Sequence, residues 1–249
     1  MDKLIPFFLD IEGLDGAGKT TLRNLISVAL QDQGYDVILA REPGGTPLAE
    51  QFRDLVKYGQ SKYNEPMTEQ TRLCLLNASR SQHLEHVIRP HLAKGSVVLC
   101  DRFFWSTLAY TDPETYELAQ QLHVLLGNDL EPDLIIYLDL DHKTSLARRK
   151  AQEDAHWEEL FPGVPRRDEP CDIEAKLDTR YESARLVYQN LAANAPNAVT
   201  LDARQPMSTV FAKAMEAISK VQARLNENES KRAVTSETDD AGRLGDSAQ

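Results

Sequence analysis

Basic residues are in short supply. In a chain of 249 residues, 28 Lys and Arg face 39 Asp and Glu, giving a formal charge of −11. A protein that grips a long polyanion needs a basic face, so a nucleic-acid polymer is not expected as a partner. A small phosphorylated ligand is still allowed, because a few arginines and backbone amides can gather phosphate inside an acidic protein. Cysteine is scarce too. Cys74, Cys100 and Cys171 are odd in number and have no C-x-x-C spacing, so neither a disulfide framework nor a zinc site is expected, and a reducing cytoplasm suits the chain. No stretch approaches about 18 uninterrupted apolar residues, which excludes a membrane-spanning helix. The short apolar run ending at Ile11 lacks the cleavage pattern of a secretion signal. With 12 Gly and 12 Pro, collagen-like and low-complexity classes are excluded.

What is present is alternation. Short apolar runs at Pro6–Ile11, Asp36–Ala40, Ser96–Cys100, Leu134–Leu138 and Ala198–Leu201 predict buried parallel strands. Helix-period segments fall between and after them at Lys19–Gln33, Pro47–Tyr58, Glu69–Leu92, Thr115–Leu126, His142–Gln152, Ile173–Ala193 and Met207–Leu225. Thr46 before Pro47, and Thr68 before Glu69, have the form of N-caps. Gly34 and Gly95 stand where left-handed helix ends need them. The pattern is that of βαβ units in an α/β protein. Residues Ala151–Pro170, with Pro162, Gly163 and Pro165, predict a loop in which Trp157 and Phe161 pack locally. From Asn226 to Gln249 large apolar residues nearly vanish, which predicts a disordered acidic tail.

One segment carries explicit chemistry. Gly13-Leu14-Asp15-Gly16-Ala17-Gly18-Lys19-Thr20-Thr21 fits G-x-x-x-x-G-K-S/T, directly after a predicted strand and before a predicted helix. Phosphate oxygens need several N–H donors converging on one spot, so the loop must curl and bring bare backbone to the ligand. Lys19 adds a point charge at the outer phosphates, and Thr20 offers a hydroxyl to Mg²⁺. The helix beginning near Lys19 turns its positive end to the same anions. A guanine-reading N-K-x-D string is absent, which argues against a switch GTPase. Charged motifs follow the second strand (Arg41-Glu42-Pro43-Gly44-Gly45-Thr46-Pro47) and the third (Asp101-Arg102, with Ser106, Thr107 and Tyr110 beyond). Loops at the carboxyl ends of parallel strands surround one crevice, so these motifs converge as transfer between two bound molecules requires.

These strings, together with P-D-L-x-x-Y-L-D (Pro132 to Asp139) and L-D-A-x-Q-P (Leu201 to Pro206), resemble the thymidylate kinases of the P-loop nucleoside monophosphate kinase family from about Phe7 to Ala223. The resemblance implies a three-layer P-loop NTPase fold over residues 1–225, with a five-stranded parallel sheet and a lid at about 148–172. It implies transfer of the ATP γ-phosphoryl group to dTMP with Mg²⁺, in a homodimer. Residues Gly13 to Thr21 would then hold ATP, Thr20 and Asp101 the metal, and Arg102 the acceptor phosphate; the rival role for Arg102 is an ion pair with Asp101. Asp15 would approach the acceptor's sugar and reacting phosphate. Glu42 and Pro43 would bound the acceptor pocket, Arg53 would approach its phosphate or lie on a solvated helix face, and Arg80 would hydrogen-bond the pyrimidine. The family usually has Phe where this chain has Leu76, which lines the pocket or simply packs. Ser106, Thr107 and Tyr110 would read base and sugar, with core packing the rival role for Tyr110. Arg148 or Arg149 would close over the phosphates, in competition with Arg166 and Arg167. The backbone of Leu201 to Gln205 would border adenine. No role falls to the six histidines, which sit mainly on predicted helix surfaces. Two further readings stay open: a kinase for another deoxynucleoside monophosphate, and a catalytically silent nucleotide-binding regulator.

Overall fold

The computed structural model describes residues 5–126, 130–160, 162 and 172–244, without the side chains of 156–158, 160, 172–179 and 232–244. Phe161, Arg166, Arg167 and the Trp157 side chain lie outside the described residues. Along the chain come β1 (Phe8–Gly13), α1 (Lys19–Asp32), β2 (Val37–Arg41), α2 (Pro47–Tyr63), α3 (Glu69–His83), α4 (Arg89–Ala93) and β3 (Val97–Asp101). Next are α5 (Phe104–Ala109), α6 (Tyr116–Leu125), β4 (Leu134–Asp139), α7 (His142–Leu160), α8 (Asp172–Asn194), β5 (Ala198–Asp202) and α9 (Met207–Leu244). The five strands form one parallel sheet in the order β2-β3-β1-β4-β5.

Side chains alternate across each strand and so feed two helix layers. Leu9, Ile11, Leu99, Ile136 and Leu138 pack against Leu22, Ile26 and Leu30 of α1 and Val210, Ala214 and Ile218 of α9. On the opposite face Phe8, Val98 and Cys100 meet Leu84, Ile88 and Phe103, while Ile135 and Tyr137 meet Trp105, Tyr181 and Tyr188. Each fully buried Leu or Ile contributes about 1.5–3 kcal/mol. No helix among the described residues is long and apolar enough to cross a membrane.

Register brings the motif-bearing strand ends level. Ile11 and Arg41 both sit opposite Asp101, and Gly13 sits opposite Leu138. The Arg102 N–H donates to the Ile11 carbonyl at 3.0 Å and the Glu42 N–H to the Asp101 carbonyl at 3.1 Å. Because β1 and β3 are neighbours separated in sequence by β2, their carboxyl ends open the crevice characteristic of such sheets.

Local chemistry matches at several ends and departs at others. Thr46 accepts the Ala49 N–H and Thr68 the Thr71 N–H, and Gly34 and Gly95 have φ of 91° and 94°. The single helix expected over Glu69–Leu92 is interrupted by a π-helical turn at Leu84–Ile88. Pro90 follows it, and a proline ring clashes with the carbonyl four residues back unless the helix widens. The loop expected from Ala151 is also corrected: α7 continues to Leu160, because Ala151–Leu160 contains neither Gly nor Pro and is rich in helix formers. Arg148 and Arg149 therefore sit inside a helix rather than opening a loop. Likewise α9 runs on to Leu244 where a disordered tail is expected from Asn226. The apolar stripe of α9 ends with Val221 and Leu225, but extending an existing helix avoids the cost of nucleation, and no proline follows Pro206.

Asp10 shares its face of β1 with Phe8 and Glu12. It is buried, and neither of its oxygens has a hydrogen-bond partner among the described residues. Burial pushes its carboxyl well above the usual range; Glu12, Glu42 and Asp101 add to the rise and Arg80 opposes it. Between the ordinary value of about 4 and the raised one, the folded state keeps a proton that the unfolded state loses. This group's contribution to stability therefore falls as pH rises through that window. Asp10→Asn removes the titration, so the melting temperature of the variant relative to the parent should climb between pH 5 and 8. A difference independent of pH contradicts this account.

Candidate active site

A cleft of about 1060 Å³ opens at the carboxyl ends of β1, β2 and β3. Its first wall is the loop after β1. Gly13 and Gly16 have φ of 141° and 77°; a Cβ on Gly13 would lie 2.6 Å from the Leu138 carbonyl oxygen, and one on Gly16 2.9 Å from that of Ser145. The loop is thus pressed between β4 and α7 with no room for side chains. Asp15, Gly16, Gly18, Lys19, Thr20 and Thr21 face the cleft, whereas Leu14 and Ala17 anchor the loop in the core. Lys19 is folded back, donating to the Gly13 and Leu14 carbonyls at 3.0 and 2.9 Å. Burial, reinforced by Arg102, lowers its ammonium to about 8 against the pull of Asp15 and Asp101.

The second wall is the segment after β3. Arg102 takes a left-handed backbone, φ 71°. One guanidinium nitrogen, Nη2, donates to Asp15 Oδ1 at 2.6 Å, while Nη1 donates to Ser106 Oγ at 2.8 Å and the Tyr188 hydroxyl at 3.1 Å. Arg102 thus pairs with Asp15 across the cleft, not with its neighbour Asp101. Tyr181 donates its hydroxyl to Asp15 Oδ2 at 3.0 Å. Burial works against the charge on Asp15, yet Arg102 and Lys19 hold its carboxyl well below the usual range. Beneath lies Glu12, which accepts the Phe103 and Ser106 N–H groups at 2.9 Å each, the Ser106 hydroxyl at 2.6 Å and the Tyr188 hydroxyl at 2.9 Å.

The third wall joins the turn after β2 to α3. Buried Arg80 donates from Nε to Glu42 Oε2 at 2.8 Å and from Nη2 to Thr107 Oγ1 at 2.8 Å. Its Nη1 is buried without a partner among the described residues. Leu76 lines the cleft beside it, as do Pro43 and Tyr110, and burial pushes the Tyr110 phenol up to about 12 against the opposing pull of Arg102. Arg53 reaches the Pro43 carbonyl at 2.8 Å and faces the cleft rather than bulk solvent.

Arg148 and Arg149 separate cleanly. Arg148 donates to the Ala203 carbonyl at 2.9 Å and does not line the cleft; Arg149 does, donating to the Tyr181 hydroxyl at 2.8 Å. One residue along a helix is a rotation of about 100°, which sends the two side chains to different neighbours. Thr20 donates its hydroxyl to Asp101 Oδ2 at 2.6 Å. No cluster of three or more His, Cys, Asp or Glu among the described residues is placed to cage a metal. One hydroxyl and one carboxylate beside a phosphate loop nevertheless suit a hard cation whose remaining ligands are phosphate oxygens and water.

Several residues in this network escape the sequence motifs. Glu12 stands just before the phosphate-loop motif and shows its function only through its acceptor bonds. Tyr181 and Tyr188 are two helical turns apart on α8, a spacing that reads as core. Of the histidines, His83 and His123 are buried rather than on helix surfaces; His83 contacts Glu42 Oε1 at 3.2 Å and His123 stacks on Phe104.

A family model described as thymidylate kinase matches residues 11–214. A protein named thymidylate kinase from Ectopseudomonas mendocina (strain ymp) is 47% identical over 148 residues, 58% of this chain and 69% of its own length. Two more of that name, from Pseudomonas entomophila (strain L48) and Pseudomonas putida (strain W619), are 37% and 38% identical over 207 residues. Those alignments cover 82% of this chain and 90% and 91% of the relatives. A phosphate loop facing an arginine-lined wall across one cleft, within a match of this extent, is sufficient: the chain belongs to the thymidylate kinase family.

Proposed function

We propose that the protein transfers the γ-phosphoryl group of ATP to dTMP, giving dTDP and ADP. The observation that carries this reading is one cleft with a phosphate loop on one wall and, on another, a buried guanidinium with an unpartnered donor at Arg80 Nη1. A pyrimidine carbonyl is an acceptor of the kind that donor lacks. ATP lies along Gly13 to Thr21, and dTMP lies between Glu42, Pro43, Leu76, Arg80, Ser106, Thr107 and Tyr110. Arg53 and Arg102 face its phosphate. Thr20 and Asp101 would hold Mg²⁺, which supplies charge neutralisation on the transferred group.

An oxygen of the dTMP phosphate forms the new bond to the γ-phosphorus as the bond to the bridging oxygen of ADP breaks. That nucleophile is already ionised at neutral pH, so no general base is required and positioning with charge stabilisation carries the catalysis. Lys19 leaves the loop carbonyls for the outer phosphates, and Arg149 approaches them from α7. The kinase unit is residues 1–225, working in the cytoplasm as a homodimer. Exposed Val124 and Leu125 at the end of α6 support the dimer, and light scattering should give twice the chain mass.

A coupled assay of ADP release over a panel of monophosphates tests the assignment. dTMP should be the preferred acceptor, and much faster turnover of another would reject it. Lys19→Ala should lower kcat/KM by about 10²–10³-fold with little change in melting temperature; unchanged turnover would remove Lys19 from the reaction. The Lys19 ammonium, lowered to about 8 in the free protein, should be raised when phosphates arrive. ATP binding near pH 8.5 should therefore take up protons and weaken as pH rises further. Titration calorimetry in buffers of different ionisation enthalpy reads this directly, and the uptake should vanish in Lys19→Ala.

A further inference from the structure

We infer that His83 is a positioning residue for the nucleobase pocket, acting through Glu42 on Arg80. His83 is fully buried at the end of α3, three residues after Arg80 and thus on the same side of the helix. Its Nδ1 lies 3.2 Å from Glu42 Oε1, while the other oxygen of that carboxylate receives Arg80 Nε at 2.8 Å. A carboxylate only accepts, so the imidazole carries its proton on Nδ1 and donates. The remaining ring edge is wedged against the turn after β2: a Cβ on Gly45 would lie 2.5 Å from both Cδ2 and Nε2. The ring therefore has no freedom to swing, and it fixes one oxygen of Glu42 while Arg80 takes the other.

The consequence falls on Arg80. Glu42 and the Thr107 hydroxyl hold two of its three donor groups, with the Phe103 carbonyl 3.3 Å from Nη2, and its guanidinium lies over the rings of Phe103 and Phe104 at 5.2 and 5.4 Å. Only Nη1 is left over, and its direction is set by where Glu42 sits. Without the His83 donor, Glu42 can rotate about its last side-chain bonds, and Arg80 loses the anchor that fixes the plane of its fork. His83 touches no substrate in this arrangement. Its effect is confined to how well the base is read.

This inference rests on Arg80 binding the base of dTMP, and the experiment separates the two claims. Steady-state kinetics would be measured for His83→Asn, His83→Gln, His83→Leu and Arg80→Lys. The Asn amide places a donor where Nδ1 stands, whereas the Gln amide places it near Nε2. His83→Asn should stay within about threefold of the parent KM for dTMP. Both His83→Gln and His83→Leu should raise it about tenfold or more, with the KM for ATP and kcat changed less than about threefold. Equal behaviour of the Asn and Gln variants, or parallel losses for both substrates, would overturn the inference and leave His83 as core filling. Should the variants fail to fold, long-range ¹H–¹⁵N spectra of the parent decide: a His83 ring without a proton on Nδ1 overturns it. If Arg80→Lys leaves the KM for dTMP unchanged, the role of Arg80 itself falls. If Arg80→Lys raises it while His83→Gln does not, only the role of His83 falls.

Discussion

A single buried carboxylate ties the nucleotide cleft together. Glu12, the penultimate residue of β1, has no exposure to solvent and accepts four hydrogen bonds, two from the backbone that starts α5, one from the Ser106 hydroxyl and one from Tyr188. Each such donor left buried and unpaired would cost about 1–3 kcal/mol, so the group behaves as a unit. It welds the strand carrying the phosphate loop to the segment after β3 and to α8. Ser106 and Tyr188 then pass the constraint on by accepting from Arg102 Nη1. The left-handed backbone of Arg102 costs roughly 1–2 kcal/mol. It is sustained by these bonds and by the Arg102 N–H bond to Ile11, and it throws the guanidinium back across the cleft toward Asp15.

The electrostatics of the cleft oppose those of the chain. An overall charge of −11 surrounds a pocket into which Lys19, Arg53, Lys57, Arg72, Arg80, Arg102 and Arg149 are drawn. Burial, then neighbouring cations, lowers the proton affinity of Arg53 and Lys57, as expected for positive groups crowded without enough counter-charge. Asp15 is fully ionised in that field, and its carboxylate occupies Arg102 and approaches Lys19 at 3.9 Å. The protein thus holds these cations against internal carboxylates and carbonyls, contacts for which a bound phosphate would compete.

Much of this was legible in the residues, for reasons that differ by element. The phosphate loop is readable because its backbone geometry tolerates few residue types, and the caps at Thr46 and Thr68 because they act locally. The three inner strands are readable because burial on both faces leaves mostly apolar residues. What escaped depends on tertiary register. Nothing in the string Arg148-Arg149 says which side chain faces the cleft, since that follows from how α7 lies against Asp15 and Gly16. His83 resembles a surface residue near a helix end until the turn after β2 closes over it. Tyr181 and Tyr188 carry the spacing of core residues and do pack as core, with only their hydroxyls entering the polar network. The continuation of α9 past Leu225 has no packing signal at all; it follows from propagation of a helix already begun.

These features also account for the kind of chemistry the cleft can perform. Tyr110 and Tyr181 have their phenols pushed upward by burial, so they stay protonated at neutral pH and act as donors or supports. Asp15 is displaced in the opposite direction and stays ionised. Lys19 alone among these is shifted toward neutral pH, to about 8, so it stays mostly charged, and a phosphate placed beside it would hold its proton more firmly. The perturbed groups are therefore tuned to hold fixed charges, not to exchange protons with a substrate. Such a site suits a reaction whose nucleophile arrives already ionised and whose barrier lies in bringing two anions together, and Glu12, by fixing the distance between the loop and Arg102, sets the spacing on which that depends.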